Sequence, residues 1–184
     1  GAAREDVNVS IRGGTRVEIK GVSHIRLIPE LVHNEAFRQR SLLLIRDDLL
    51  ARVADFRDWS ARHLEVDPDL LAATSAWTRE ARKTGCRLVA VNLPHFRGLL
   101  STFAQPGHSF ADELCDRLKV IAGIERPNMT HSEALQAEGQ GDDWSTIRAL
   151  LGAADDDAQI LFWGAGDDLR TARETIEERC RLAF

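Results

Sequence analysis

Apolar and polar residues alternate strictly in two short runs at the start of the chain, "REDVNVSIRGGTRVEIKGV". Val7, Val9 and Ile11 lie before a Gly13-Gly14 pair, and Val17 and Ile19 lie after it. A period of two predicts strands, and the glycines predict a turn, so the segment reads as a β-hairpin. Residues paired across an antiparallel ladder project from one face. A two-residue loop at Gly13-Gly14 would pair Ile11 with Arg16 and Val9 with Glu18, mixing apolar with charged. A three-residue loop, Gly13 to Thr15, pairs Ile11 with Val17 and Val9 with Ile19, and sets Ser10 opposite Glu18 and Asn8 opposite Lys20. The spacing therefore predicts a three-residue turn with a glycine in the left-handed region.

From about Ser23 to about Trp59 the period lengthens to that of a helix, with Leu42, Ile45, Leu49, Val53 and Phe56 three or four residues apart. Pro29 belongs in its first turn, because an interior proline would break the hydrogen-bond ladder. Arg38, Arg40 and Arg46 fall mainly off the apolar stripe, which predicts a solvated face; contact with RNA (a tRNA) or phosphate is the other reading. "HLEVDPDLLAATSAW" loses the period and carries Asp-Pro punctuation, so a boundary is expected near residue 60. Beyond it, helix and strand alternate. A short helix is expected around Thr78 to Thr84, then a strand "CRLVAVNL", a helix from Phe110 to Ile121 and a strand near Pro127 to His131. The helix "DWSTIRALLG", the strand "AQILFW" and a final helix "LRTARETIEERCRLA" follow. The pattern is α+β: a hairpin and long helix over 1–58, then a sheet-and-helix unit over 59–184.

Composition narrows the function classes. A chain of 184 residues with 43% hydrophobic and 29% charged residues can bury a core, and it has no apolar run of membrane-spanning length. Cys86, Cys115 and Cys180 are odd in number and lack CxxC spacing, so neither a disulfide framework nor a zinc site is indicated, and a cytoplasmic home is expected. A net charge of −5 argues against gripping nucleic acid by bulk charge, although a local basic patch is compatible with it.

Candidate chemistry centres on the polar side of the hairpin. In the register above, Asp6, Asn8, Ser10, Glu18 and Lys20 share one surface, offering carboxylates to a hard cation and an ammonium to a phosphate; magnesium with a nucleotide would suit them. An exposed sheet face with ordinary cross-strand ion pairs has the same pattern. "LFWGAGDDLRTA" has the strand, glycine turn and helix start of a phosphate cradle. It lacks the third glycine, however, and places Asp167 and Asp168 where they serve better as helix caps. "LPHFRGLL" and "QPGHSF" read as a loop with turn glycines Gly98 and Gly107, and His131 reads as a loop histidine. Trp59, Trp77, Trp144 and Trp163 are scattered and read as core or lid residues, and Cys115 reads as a small buried side chain.

The opening stretch resembles the kinase subunits of tRNA-dependent amidotransferases. Their pattern of Arg, any, Asp, any, Asn-Val-Ser, a turn and Glu-Ile-Lys is matched by Arg4, Asp6, Asn8, Val9, Ser10, Glu18, Ile19 and Lys20. Glu35, Arg38 and Gln39 match the family's next element, a Glu followed by an Arg-Gln pair, and "EIKGV" with "RLIPELV" resembles the archaeal branch. The segments "DPDLLAATSAWTREARKTGCRLVAVNLPHFRGLL", "QPGHSFADELCDRLK" and "MTHSEALQAEG" are similar to an insertion domain that this branch shares with bacterial-type aspartyl-tRNA synthetases. Two departures stand out: His95 where the family often has Gly, and Gln136 to Gly139 in place of a Pro-Ala-Tyr-Gly run.

The resemblance implies the C-terminal edge of a kinase (cradle) domain over 1–58 and the insertion domain over 59–184, as a piece of a longer ligase of protein biosynthesis. Its implied chemistry is phosphorylation of tRNA-bound glutamate by ATP with magnesium. Amidation with ammonia from the amidase partner in a heterodimer then gives glutaminyl-tRNA(Gln). Asp6 and Glu18 would hold magnesium, Lys20 would neutralise phosphate, and Asn8 and Ser10 would bind the nucleotide; the piece alone would be incompetent. Two rivals are a non-catalytic module that binds tRNA or a partner, and the same insertion domain within an aspartyl-tRNA synthetase.

Overall fold

The computed structural model describes residues 4–71, 75–124, 128–135 and 140–184. The Gln136 to Gly139 departure and the start of the strand expected at Pro127 lie outside them. The chain is α+β. It opens with a hairpin of β1 (Glu5–Val9) and β2 (Val17–Val22), followed by a 310 turn at Ile25–Leu27 and a long helix, α1 (Ile28–Arg52). Pro29 lies in the first helical turn, as expected.

The hairpin register differs from the expected one by two residues. Val9 pairs with Val17, Asn8 with Glu18 and Val7 with Ile19, so the loop runs over residues 10–16 rather than 13–15. Parity survives, because a shift of two keeps every side chain on its face. The cause is a tight turn inside the loop: Gly14 N donates to Ile11 O at 3.0 Å, with Gly13 at φ 84. This turn draws Ser10 and Ile11 out of the ladder.

The long helix is shorter than its periodicity suggests. Val53 is extended and caps the end, and Phe56–Asp58 forms a separate 310 turn begun by the Asp55 side chain, which accepts from Arg57 N. The sheet that follows has order β3-β4-β8-β7, every neighbour antiparallel, with β3 Arg62–Val66, β4 Arg87–Leu93, β7 Met129–His131 and β8 Ala158–Gly164. A small hairpin, β5 (Phe103–Gln105) with β6 (His108–Ser109), precedes the third helix. The remaining helices are α2 (Ala76–Thr84), α3 (Phe110–Ala122), α4 (Gln140–Leu151) and α5 (Gly166–Arg181).

Strand β3 is not among the expected elements. Its Leu64/Val66 alternation is overshadowed by the Asp67-Pro68 signal that ends it. At α5 the expected capping is also corrected. Ala165 is the N-cap and makes no side-chain cap bond, while Asp167 and Asp168 lie in the first turn, where their charge complements the helix dipole. Ser109 and Asp112, by contrast, form a reciprocal capping box at the start of α3.

Both faces of the central sheet are covered. Val89, Val91, Leu93, Ile160 and Phe162 pack with α3 and α5, whereas Leu88, Ala90, Leu161 and Trp163 pack with Trp77 of α2 and Trp144 and Ile147 of α4. Ile45 and Leu49 of α1, at 1% and 0% exposure, belong to the first cluster. The hairpin-bearing helix and the sheet unit therefore share one core across the position expected to divide them.

Candidate functional site

Alternation sorts the hairpin cleanly. Val7, Val9, Val17 and Ile19 face α1, with Val9 buried, while Asp6, Asn8, Glu18 and Lys20 are exposed on the other side. Asn8 stands opposite Glu18 itself, closer than expected, and Lys20 Nζ lies 3.0 Å from Glu18 Oε2. Ser10, in the loop, is the one expected site residue outside the ladder. Asp6 has a structural task as well. Between Glu5 and Val7 the register slips by one residue, leaving Lys20 and Gly21 against Asp6, with Gly21 at φ 72. Asp6 Oδ1 accepts from the Gly21 N–H at 3.0 Å.

Gln39 of α1 sets the position of this surface. It is 6% exposed, and its Oε1 accepts from Ile11 N at 3.1 Å while its Nε2 donates to Val9 O at 3.2 Å and to Glu35 Oε1 at 2.9 Å. One amide side chain thus partners two backbone groups where the strand enters the loop. A Cβ on Gly14 would stand 2.5 Å from Gln39 Oε1, so glycine there lets the turn close over the amide. In the sequence this signal is present only as Glu35, Arg38 and Gln39 at helical spacing, with nothing to show that they reach the hairpin.

Arg38, expected on a solvated face, instead turns inward. Its Nε and Nη2 donate to the two oxygens of Glu113 on α3 at 2.6 and 3.2 Å, and Arg179 of α5 reaches Glu113 Oε2 at 3.2 Å while lying 5.7 Å above the Phe110 ring. Burial pulls the Arg38 guanidinium down, but bonding and charge from Glu113 and Glu35 outweigh it and hold its pKa above the ordinary value. Arg46 pairs with its neighbour Asp47 on the surface. Three helices are thereby tied at a single carboxylate, through the α1 residue next to the one that holds the hairpin.

The second part of the chain places its polar residues in loops. His95 takes φ 67, a backbone conformation that glycine adopts freely, and its Nδ1 meets Asp156. Asp157, almost wholly buried, accepts from Asn92 Nδ2, His95 N and Ala154 N. Glu133 accepts from Gly98 N and Ser101 N. These bonds fasten loops to one another. Among the described residues no group of three or more His, Cys, Asp or Glu could hold a metal, and no helix is long and apolar enough to cross a membrane.

Comparison with known proteins accords with the hairpin pattern. A family model described as the GatB/GatE catalytic domain matches residues 1–89, which reaches into β4. Over the full chain, identity is 35% to the GatE-type subunit of glutamyl-tRNA(Gln) amidotransferase from Methanopyrus kandleri, 33% to that of Pyrococcus furiosus and 32% to that of Methanocaldococcus jannaschii. All of this chain is covered in each case, and the chain spans 29% of the length of these curated relatives. The chain belongs to the GatB/GatE family and corresponds to one stretch of the archaeal GatE-type subunit of glutamyl-tRNA(Gln) amidotransferase.

Proposed function

We propose that the exposed face of the hairpin is one wall of the site at which a full-length amidotransferase subunit phosphorylates tRNA-bound glutamate with ATP, and that residues 59–184 form its aspartyl-tRNA-synthetase-like insertion domain. The observation that carries this reading is the gathering of Asp6, Asn8, Glu18 and Lys20 on one open surface while the reverse face is pinned to α1 by Gln39. Membership of the family and the activity named for the relatives support it.

The chemistry asked of these side chains is positioning and charge compensation. The side-chain carboxylate of glutamyl-tRNA attacks the γ-phosphorus, ADP leaves, and ammonia supplied by the amidase partner then displaces phosphate from the acyl carbon. Lys20 would compensate charge on the transferring phosphoryl group, after giving up its surface pairing with Glu18, and Asn8 and Ser10 would donate to phosphate or ribose. Asp6 and Glu18 each retain an oxygen beyond those bonded to Gly21 and Lys20. Two carboxylates fit magnesium that arrives with nucleotide phosphates, an ion commonly held by one or two carboxylates with water and substrate. When bound, that ion would supply Lewis-acid polarisation of the phosphates. Because the face is open on these residues' outer side, the 184-residue chain alone is expected not to turn over.

The test is ATP-dependent phosphorylation of glutamyl-tRNA by the full-length subunit carrying Glu18→Ala and Lys20→Ala together. Loss of activity with an unchanged melting temperature supports the assignment. Retained activity would mean that the hairpin face is ordinary solvent-facing sheet.

A further inference from the structure

We propose that Glu113 of α3 is a positioning residue for the hairpin, so that the sheet unit actively holds the wall assigned above to the kinase site. The inference rests on that reading for its catalytic consequence; its own content is a relay of polar groups from α3 to the hairpin. Glu113 accepts from Arg38 Nε and Nη2 at 2.6 and 3.2 Å, and Arg38 Nη1 stands 3.6 Å from Glu35 Oε1. The same Glu35 oxygen accepts from Gln39 Nε2 at 2.9 Å, and Gln39 holds Val9 O and Ile11 N.

The relay is sheltered from water. Glu113 and Gln39 are 8% and 6% exposed, and the Glu35 side chain is 10% exposed, so solvent is poorly placed to replace a lost partner. Its pivotal atom is Glu35 Oε1, which two donors address. With Glu113 in place the Arg38 fork is turned toward α3, and Nη1 stays beyond hydrogen-bond reach of Glu35, which leaves that oxygen to Gln39. The bond to Glu35 also fixes which way round the amide lies, with Nε2 toward Val9 O and Oε1 toward Ile11 N. Without the Glu113 charge, Arg38 keeps Glu35 as its one carboxylate partner among the described residues, three positions back on its own helix. A charge-assisted bond there is stronger than the amide's and displaces it. Gln39 then loses its orientation, and the end of β1 with the loop that carries Ser10 loosens.

The experiment uses the full-length subunit and reads two quantities: amide hydrogen exchange of the segment spanning residues 8–16, and the rate of ATP-dependent phosphorylation of glutamyl-tRNA. Glu113→Gln keeps the shape of the side chain and removes its charge. Exchange in the segment should accelerate about tenfold or more while β4 and β8 exchange as in the parent, and the phosphorylation rate should fall with it. Adding Arg38→Met removes the competing donor and should return both quantities toward the parent. A carboxylate that merely held the fold together would give the opposite, since losing a second member of the ion pair would loosen the packing further. The proposal is overturned if Glu113→Gln leaves exchange in the segment unchanged, or if adding Arg38→Met fails to slow it. Accelerated exchange relieved by Arg38→Met, with phosphorylation at the parent rate throughout, supports the relay and overturns the kinase-wall reading instead.

Discussion

Arg38 on α1 and Glu113 on α3, 75 positions apart, meet through two hydrogen bonds, and Arg179 of α5 closes on the same carboxylate. Glu113 is 8% exposed, so its charge is compensated by these two cations and little by water. Replacing it with alanine takes the shared counterion from Arg179 and leaves Arg38 with Glu35 alone, at a cost of about 3 kcal/mol. Urea unfolding of Glu113→Ala should show that loss. Lys20→Ala should leave the midpoint unchanged, since the Lys20–Glu18 pair is open to solvent.

Gln39→Ala removes the side-chain partner of two backbone groups at the end of β1. The expected cost is roughly 1–3 kcal/mol, concentrated locally. Amide exchange at Val9 and Ile11 should accelerate far more than exchange in β4 and β8. Gly14→Ala should give the same pattern, because its methyl group would displace Gln39 Oε1.

His95 pairs with Asp156 but holds a left-handed backbone. Comparing His95→Ala with His95→Gly isolates the strain, since both lose the imidazole. The glycine variant should be the more stable by about 1 kcal/mol in chemical denaturation.

Glu113, Gln39 and His95 mark the limit of what is legible in the sequence. The hairpin, α1, the two central strands and the tryptophan core follow from periodicity and turn residues, and the faces of the hairpin follow from parity alone. The hairpin register does not follow, because the Ile11-to-Gly14 turn and the Gln39 amide compete for backbone groups that simple pairing would use. Arg38 escapes for a related reason. Its place off the apolar stripe of α1 is real, but the neighbour that buries it comes from α3, 75 residues later. Long-range polar contacts of this kind leave no periodic trace. The polar face is legible because local alternation is sufficient to build it.

His63 of β3 accepts from Arg173 Nη1 through Nε2 at 2.7 Å, which requires a neutral imidazole. Partial burial, and then the Arg173 charge, lower its pKa below the ordinary value of about 6.5. The unfolded chain therefore binds the proton more readily, and stability falls as pH drops below about 6.5 toward the lower folded-state value. Thermal melts between neutral pH and the onset of carboxylate titration should show a steeper fall for the parent than for His63→Gln, whose amide oxygen can accept from Arg173 at any pH.

Action of the polar hairpin face on phosphate is measured most directly by the glutamyl-tRNA-dependent rate of ADP formation by the full-length protein carrying Lys20→Ala. The rate should fall by about 100-fold, the loss typical of removing a preorganised charge donor, with the thermal midpoint unchanged. A Lys20→Ala protein that forms ADP at the parent rate would contradict that role.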